Sequence, residues 1–89
     1  MICIELSFTN DPARLAARPA HRTRLVDLQT RGLLLAAGPW GDDSGALLVL
    51  TTDEQGARAI LDADPYFSTP GVEVLSTRTW QPVVGPETP

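Results

Sequence analysis

Residues 18–32, RPAHRTRLVDLQTRG, form the most informative stretch of the sequence. Proline has a fixed φ near the helical value and no N–H, so Pro19 suits the first position of a helix. His21, Leu25 and Leu28 then fall at i, i+4 and i+7, on one stripe of that helix. We therefore expect the histidine, the only one in the chain, to point with the leucines toward the body of the domain.

The residues before Pro19 carry weaker helix signals. Asn10 or Asp11 can cap a short helical turn that begins at Pro12. A proline inside a helix predicts a kink or a fresh start, so we expect the main first helix over about residues 19–30. Gly32 is expected to end this helix in a left-handed conformation.

Four segments have the short length and the apolar pattern of strands: residues 2–8, 33–37, 46–51 and 72–80. The run 33–37 is continuously apolar between glycines, which favours a buried strand. In residues 72–80, the side chains of Val72, Val74, Ser76, Arg78 and Trp80 are expected on one face.

A second helix is predicted between the third and fourth strands. Thr52 and Gln55 have the spacing of a capping box, with two acids between them that suit the helix dipole. Ala57, Ile60 and Leu61 give the i, i+3, i+4 apolar stripe, and the helix should end before Asp64.

The predicted order β-α-β-β-α-β is that of a ferredoxin-like α+β fold, a four-stranded antiparallel sheet with two helices on one face. The other face carries side chains that are poorly suited to water: Cys3, Leu47, Val49 and Leu75. A second copy is the simplest cover, so we expect a homodimer, or a higher assembly built on it, with sheets packed face to face. We expect one domain over residues 1–80 and a proline-rich tail at 81–89, mobile or lying on a neighbour.

The charge of the chain limits its partners. Eleven carboxylates against seven arginines, with no lysine, give a net charge of −4, which argues against a nucleic acid or a membrane as partner. Arg14, Arg18 and Arg22 are spaced four apart; we interpret them as a solvated helix face, with a local positive stripe as the alternative. No signal peptide or membrane-spanning run is visible, and we expect a cytoplasmic protein.

A histidine and a carboxylate are the candidate catalytic groups. Asp64 continues the stripe of Ile60 and Leu61, so the second helix can bring it to His21 on the same side of the sheet. Near a helix start the dipole lowers the pKa of His21 while a carboxylate raises it, and the balance gives a base that titrates near neutral pH. The alternatives are a structural histidine and an aspartate that forms a turn before Pro65.

Other chemistries have weaker support. One histidine and one cysteine leave too few ligands for a metal site, and we expect neither a metal nor another cofactor. The single Cys3 has no partner for an internal disulfide and is expected to be at least half-buried. Trp40 can line a pocket mouth or lie in an exposed loop or interface.

Several short motifs together resemble the YciI-like family, which is defined by the YCII-related domain. The resemblance runs from the first strand to about Trp80, and no single motif is specific by itself. The motifs are Ala17-Arg18-Pro19-Ala20-His21, Ala37-Gly38-Pro39, Gly45-Ala46-Leu47-Leu48-Val49, Asp64-Pro65-Tyr66 and Gly71-Val72-Glu73-Val74.

This resemblance implies a ferredoxin-like subunit that forms a dimeric α+β barrel. It also implies an active site with a histidine and an aspartate, which match His21 and Asp64. Residues of the same motifs are the expected substrate-binding residues: Arg18, Tyr66, Gly38 and Pro39.

The sequence therefore predicts a small cofactor-independent enzyme. His21 would move a proton, Asp64 would orient it, and Arg18 would stabilise an anionic intermediate. Isomerisation or elimination, as in dehydrochlorination, on a small organic molecule would fit. The alternative is a non-catalytic dimeric module that binds a small ligand or acts as an accessory protein.

Overall fold

The computed structural model describes residues 1–85 and shows the predicted order of elements within them. The elements are β1 (Ile2–Phe8), α1 (Pro12–Thr30), β2 (Leu34–Pro39), β3 (Gly45–Leu50), α2 (Glu54–Ala63) and β4 (Val72–Thr79). A 3₁₀ turn at Pro65–Ser68 follows α2. The four strands form one antiparallel sheet in the order β2-β3-β1-β4, which confirms the ferredoxin-like fold.

Alternation along the central strand β1 separates the two faces of the sheet. Ile2, Ile4 and Leu6 are almost fully buried in the core that the helices cover, whereas Cys3 is half-buried on the opposite face. Leu47 is half-buried and Leu75 is about half exposed. The homodimer remains a prediction.

Helix α1 is one continuous helix, and the predicted start at Pro19 is wrong. The helix begins at Pro12, and the Asp11 carboxylate caps it by accepting from the Ala13 N–H at 2.8 Å. Pro19 lies within the helix, and both Pro19 and Leu15 are on its exposed side. Because proline has no N–H, the Leu15 carbonyl has no hydrogen-bond donor from within the helix.

Packing on both sides of Pro19 explains why the helix continues. Arg14, Ala17, His21 and Leu25 follow one another at helical spacing and all lie on the inward side. Burial of that stripe holds the parts of α1 before and after Pro19 on one helix axis. Tertiary packing of this kind routinely overrides the low helix propensity of a single residue.

Replacing Pro19 by alanine is expected to raise the free energy of unfolding by about 1–2 kcal/mol. Alanine restores an N–H donor inside the helix, where proline is less favourable than alanine by about 3 kcal/mol. Part of this gain, about 1 kcal/mol, is offset because the unfolded chain has more conformational entropy without the proline ring. Urea unfolding of P19A measures the change. P12A is the matched control, because a proline at the first helical position loses no hydrogen bond, and equal shifts in both variants would contradict the prediction.

The end of α1 follows the sequence prediction. Gly32 has a φ of +76°, its N–H donates to the Gln29 carbonyl, and the Leu33 N–H donates to the Leu28 carbonyl. This is the Schellman arrangement, in which a left-handed glycine closes the helix.

Three further details differ from the sequence predictions. Asp53, not Thr52, caps α2, and its carboxylate accepts from the Gly56 N–H at 2.8 Å. A bulge shifts the register of β1 against β4, so residues 72–80 do not keep one alternating face. Strand β2 is an edge strand with most of its residues exposed, rather than a buried strand.

Residues 81–85 are exposed, and the rest of the predicted tail, residues 86–89, lies outside the described residues. Within residues 1–85, no helix has the length and apolar character needed to cross a membrane.

Candidate active site

The structure brings His21 and Asp64 into contact. Nδ1 of His21 lies 2.7 Å from Oδ2 of Asp64, and the two side chains are only 7% and 6% exposed. A carboxylate accepts hydrogen bonds, so Nδ1 carries the proton and Nε2 is left as the basic nitrogen of the neutral ring.

Local backbone structure fixes the Asp64 carboxylate. Asp64 follows α2 directly and caps the 3₁₀ turn, where its Oδ1 accepts from the Tyr66 N–H at 3.0 Å. Nη1 of the half-exposed Arg24 approaches the same oxygen at 3.5 Å. The sequence Asp-Pro-Tyr thus does form a turn, and the same carboxylate also holds the histidine.

Two aromatic rings hold the imidazole from other directions. The Tyr66 ring stacks on the His21 ring with centroids 3.9 Å apart and planes 10° apart. The Phe67 ring meets the imidazole edge-on at 5.3 Å. Sequence analysis missed Phe67, whose only signal is its position beside Tyr66. The ring of His21 is therefore fixed by packing as well as by its hydrogen bond.

Burial, rather than the helix dipole, lowers the pKa of His21. Because α1 begins at Pro12, His21 lies in the middle of the helix, away from the N-terminal charge that was expected to act on it. Desolvation is the largest effect and lowers the pKa, the hydrogen bond and negative charge of Asp64 oppose it, and Arg22 and Arg24 lower the pKa further. The net pKa lies below the ordinary value of 6.5, so the imidazole is neutral at pH 7.

This lowered pKa makes stability depend on pH in mild acid. As the pH falls, His21 is protonated at a higher pH in the unfolded chain than in the folded protein. The free energy of unfolding is therefore highest above about pH 6.5, and it decreases as the pH falls toward and through the pKa of the folded protein. Urea titrations at about pH 7.5 and about pH 5.5 should show this decrease. The His21→Asn variant lacks the titrating group, so its free energy of unfolding should decrease less between these two pH values. An equal decrease in the variant and the wild type would contradict the prediction.

A cavity of about 480 Å³ lies between α1 and the β2–β3 edge of the sheet. Five of the six predicted site residues line it: Arg18, His21, Gly38, Pro39 and Tyr66. Asp64 does not line the cavity and lies behind His21. Most of the remaining wall is apolar, including Leu25, Leu34, Leu35 and Leu48.

Of the three arginines spaced four apart on α1, only Arg22 has the exposed position that we expected. Arg14 is 1% exposed, its Nε donates to the Thr9 carbonyl, and its guanidinium lies 4.5 Å from the centre of the Phe8 ring. Arg18 and Arg22 line the cavity. The helix is continuous, so the alternative of a local positive stripe describes Arg18 and Arg22 better.

Asp43, in the β2–β3 loop, was missed by sequence analysis. Its Oδ2 accepts from Arg14 Nη2 at 3.2 Å and from Arg18 Nη2 at 3.3 Å, and the residue lines the cavity. Its one local signal is a turn-forming residue type, and its φ is indeed +59°. Trp40, in the same loop, is 43% exposed and does not line the cavity.

Within the part of the chain that the structure describes, no three histidine, cysteine or acidic side chains are grouped to hold a metal ion. Cys3, at the half-buried position we expected, lies on the sheet face opposite the core.

The fold and these contacts define a class: a ferredoxin-like α+β protein that keeps a carboxylate-bound histidine at the wall of a small cavity. The YCII-related domain matches residues 2–81, and the chain belongs to that family. Protein YciI of Escherichia coli O6:H1 (strain CFT073) and Protein YciI of Shigella flexneri are each 37% identical to it over 81 aligned positions. Each alignment covers 79% of this chain and 83% of the relative.

Proposed function

We propose that this chain is a small cytoplasmic, cofactor-independent enzyme that moves a proton on a small organic molecule. The contact between His21 Nδ1 and Asp64 Oδ2 at 2.7 Å carries the proposal, because it leaves Nε2 as the base of a ring that lines a cavity. A general base must be unprotonated at working pH, and burial lowers the pKa of His21 in that direction.

Asp64 acts as the positioning residue. It fixes the tautomer of His21 and stabilises the imidazolium that forms once Nε2 has accepted a proton. Its own position depends on the Tyr66 N–H and the end of α2, both parts of the backbone. Neither group needs to move during proton transfer, which favours an electrostatic role.

Two reaction types fit this arrangement. In an isomerisation, Nε2 takes a proton from an acidic carbon and the imidazolium returns it to another carbon. In an elimination, Nε2 takes the proton, the carbon–hydrogen electrons form the double bond, and a leaving group such as chloride departs with its bonding pair. Both pass through anionic character on the substrate, which the Arg18 guanidinium at the cavity wall can stabilise.

We also propose that the protein works as a homodimer. The sheet face opposite the helices bears the half-buried Cys3 and Leu47 and the exposed Leu75, all of which a second copy would cover.

A screen in D₂O tests the acid–base proposal and does not require the substrate to be identified first. Small lactones, enol acids and halogenated phenolics are incubated with the protein and followed by NMR, which detects both conversion and exchange of a carbon-bound proton for deuterium. We expect at least one compound to show catalysed conversion or exchange. If compounds bind and shift the His21 ring signals but none exchanges or reacts, the non-catalytic binding module is supported instead.

A further inference from the structure

One of the arginines that line the cavity, Arg18, forms an ion pair with a carboxylate of the same chain, Asp43. Arg18 is 29% exposed in its side chain, lines the cavity and pairs with Asp43 at 3.3 Å. Asp43 is 48% exposed, and ion pairs between exposed groups contribute little, typically about 0–1 kcal/mol. The Arg18–Asp43 pair can therefore open without a large effect on the fold.

The two arginines that share Asp43 differ in how firmly they are held. Arg14 has a side chain only 2% exposed, donates to the Thr9 carbonyl and lies against the Phe8 ring. Arg14 therefore stays in place and retains Asp43 when Arg18 leaves. Arg18 has neither the burial nor the backbone acceptor that fixes Arg14, and it is the arginine that can turn to a ligand.

The remaining cavity wall indicates what that ligand carries. Arg22 adds a second guanidinium to the lining, and within residues 1–85 no carboxylate lies in ion-pair range of it. The rest of the wall is largely aliphatic, with the aromatic rings of Phe8 and Tyr66. A space of about 480 Å³ is in the range of small-molecule sites.

We propose that the cavity binds a small organic acid with an apolar body, whose carboxylate takes Arg18 from Asp43. A guanidinium can bind a carboxylate through two parallel hydrogen bonds, whereas Arg18 makes a single hydrogen bond of 3.3 Å to the half-exposed Asp43. Asp43 is then a competing anion that holds Arg18 until the ligand arrives. This inference rests on the proposed function only in that it assigns the substrate class of the same cavity.

Binding of simple acids and their amides tests the proposal. Benzoate and hexanoate are compared with benzamide and hexanamide by isothermal titration, and the ring signals of the single histidine report whether binding is at the cavity. We expect each acid to bind about tenfold more tightly than its amide, since a hydrogen bond to a charged group accounts for about that factor. Acetate, which lacks the apolar body, should bind more weakly than either acid.

Two variants with matched controls identify the groups. R18Q should bring the acids to the affinity of the amides, whereas R58Q, the same change at an exposed position on α2, should leave them within about twofold of wild type. D43N should tighten acid binding about three- to tenfold because the competing anion is gone, and asparagine accepts the positive φ of residue 43. D42N removes the same charge from the same loop without an arginine contact and should have a smaller effect.

Several results would overturn the proposal: equal affinity of acids and amides, equal losses in R18Q and R58Q, no gain in D43N beyond D42N, or no binding of either acid. The assay needs no turnover, so its outcome is separate from that of the acid–base proposal. Acid binding through Arg18 with no compound converted in D₂O would leave the acid site standing without the enzyme. Conversion of a neutral compound without any binding of acids would support the acid–base enzyme and overturn the proposed acid site.

Discussion

Replacing His21 by asparagine is expected to reduce turnover of any substrate found in the screen by about 10²–10⁴-fold, the usual contribution of a general acid or base. The asparagine amide nitrogen lies near the position of Nδ1 and can donate to Asp64 Oδ2, so the buried carboxylate keeps a donor. The amide has no basic nitrogen, however, and proton transfer is lost. Initial rates by NMR or absorbance measure the effect.

The stability of this variant separates a catalytic histidine from a structural one. We expect H21N to lose only about 1–2 kcal/mol of unfolding free energy, from looser packing against Tyr66 and Phe67. The rate of the wild-type enzyme should also fall as the pH decreases through the pKa of His21, which burial holds below its ordinary value of 6.5, because the base is then protonated. Turnover within about threefold of wild type in a folded H21N protein would exclude His21 as the base.

Replacing Asp64 by alanine is expected to lower the free energy of unfolding by about 3 kcal/mol, the largest stability effect that the structure predicts. The carboxylate is 6% exposed and accepts from His21 and from the Tyr66 N–H, and alanine leaves both donors buried without an acceptor. A domain of this size shifts its Tm by about 4–8 °C per kcal/mol, so thermal unfolding should show a decrease of more than about 10 °C.

Two further variants show whether the loss of stability in D64A comes from the buried hydrogen bonds of Asp64. D62A removes an exposed aspartate from the last turn of α2, two residues before Asp64, and should change stability by less than about 0.5 kcal/mol. D64N keeps an acceptor for the Tyr66 N–H but presents an amide to Nδ1, so its stability should lie between those of D64A and wild type. A D64A protein within about 1 kcal/mol of wild type would show that the His21–Asp64 contact contributes little to the fold.

The parts of the fold set by local periodicity were predictable from the sequence. Alternation gave the bounds of β1, and the i, i+3, i+4 spacing predicted that Asp64, which directly follows α2, lies on the same buried side as Ile60 and Leu61. Both groups continue an apolar stripe, so the burial of the helices brings them together. Periodicity therefore predicts that the two groups lie on the same side of the sheet, whereas their contact also depends on the 3₁₀ turn that fixes the Asp64 carboxylate.

Features that depend on distant parts of the chain were not predictable. Pro19 interrupts a helix by local rules, and only packing on both sides of it keeps α1 continuous. Arg14 is on the inward side of that continuous helix, and its partner Asp43 is 29 residues away in a loop without a motif. The bulge in β4 places Leu75 as an extra residue between the pairs Glu5–Ser76 and Leu6–Val74, and it arises from pairing between segments that are distant in sequence.

The position of β1 in the sheet has a consequence for how the chain acquires its structure. The ribosome makes β1 first among the strands, yet its neighbours, β3 and β4, are made later, and β4 comes last. The Met1 carbonyl and the Trp80 N–H close the last pairing at 2.7 Å. Until the far end of the chain has been synthesised, β1 exposes an unpaired apolar edge that can join another nascent chain. Deletion from residue 72 onward should therefore give inclusion bodies rather than a smaller folded domain.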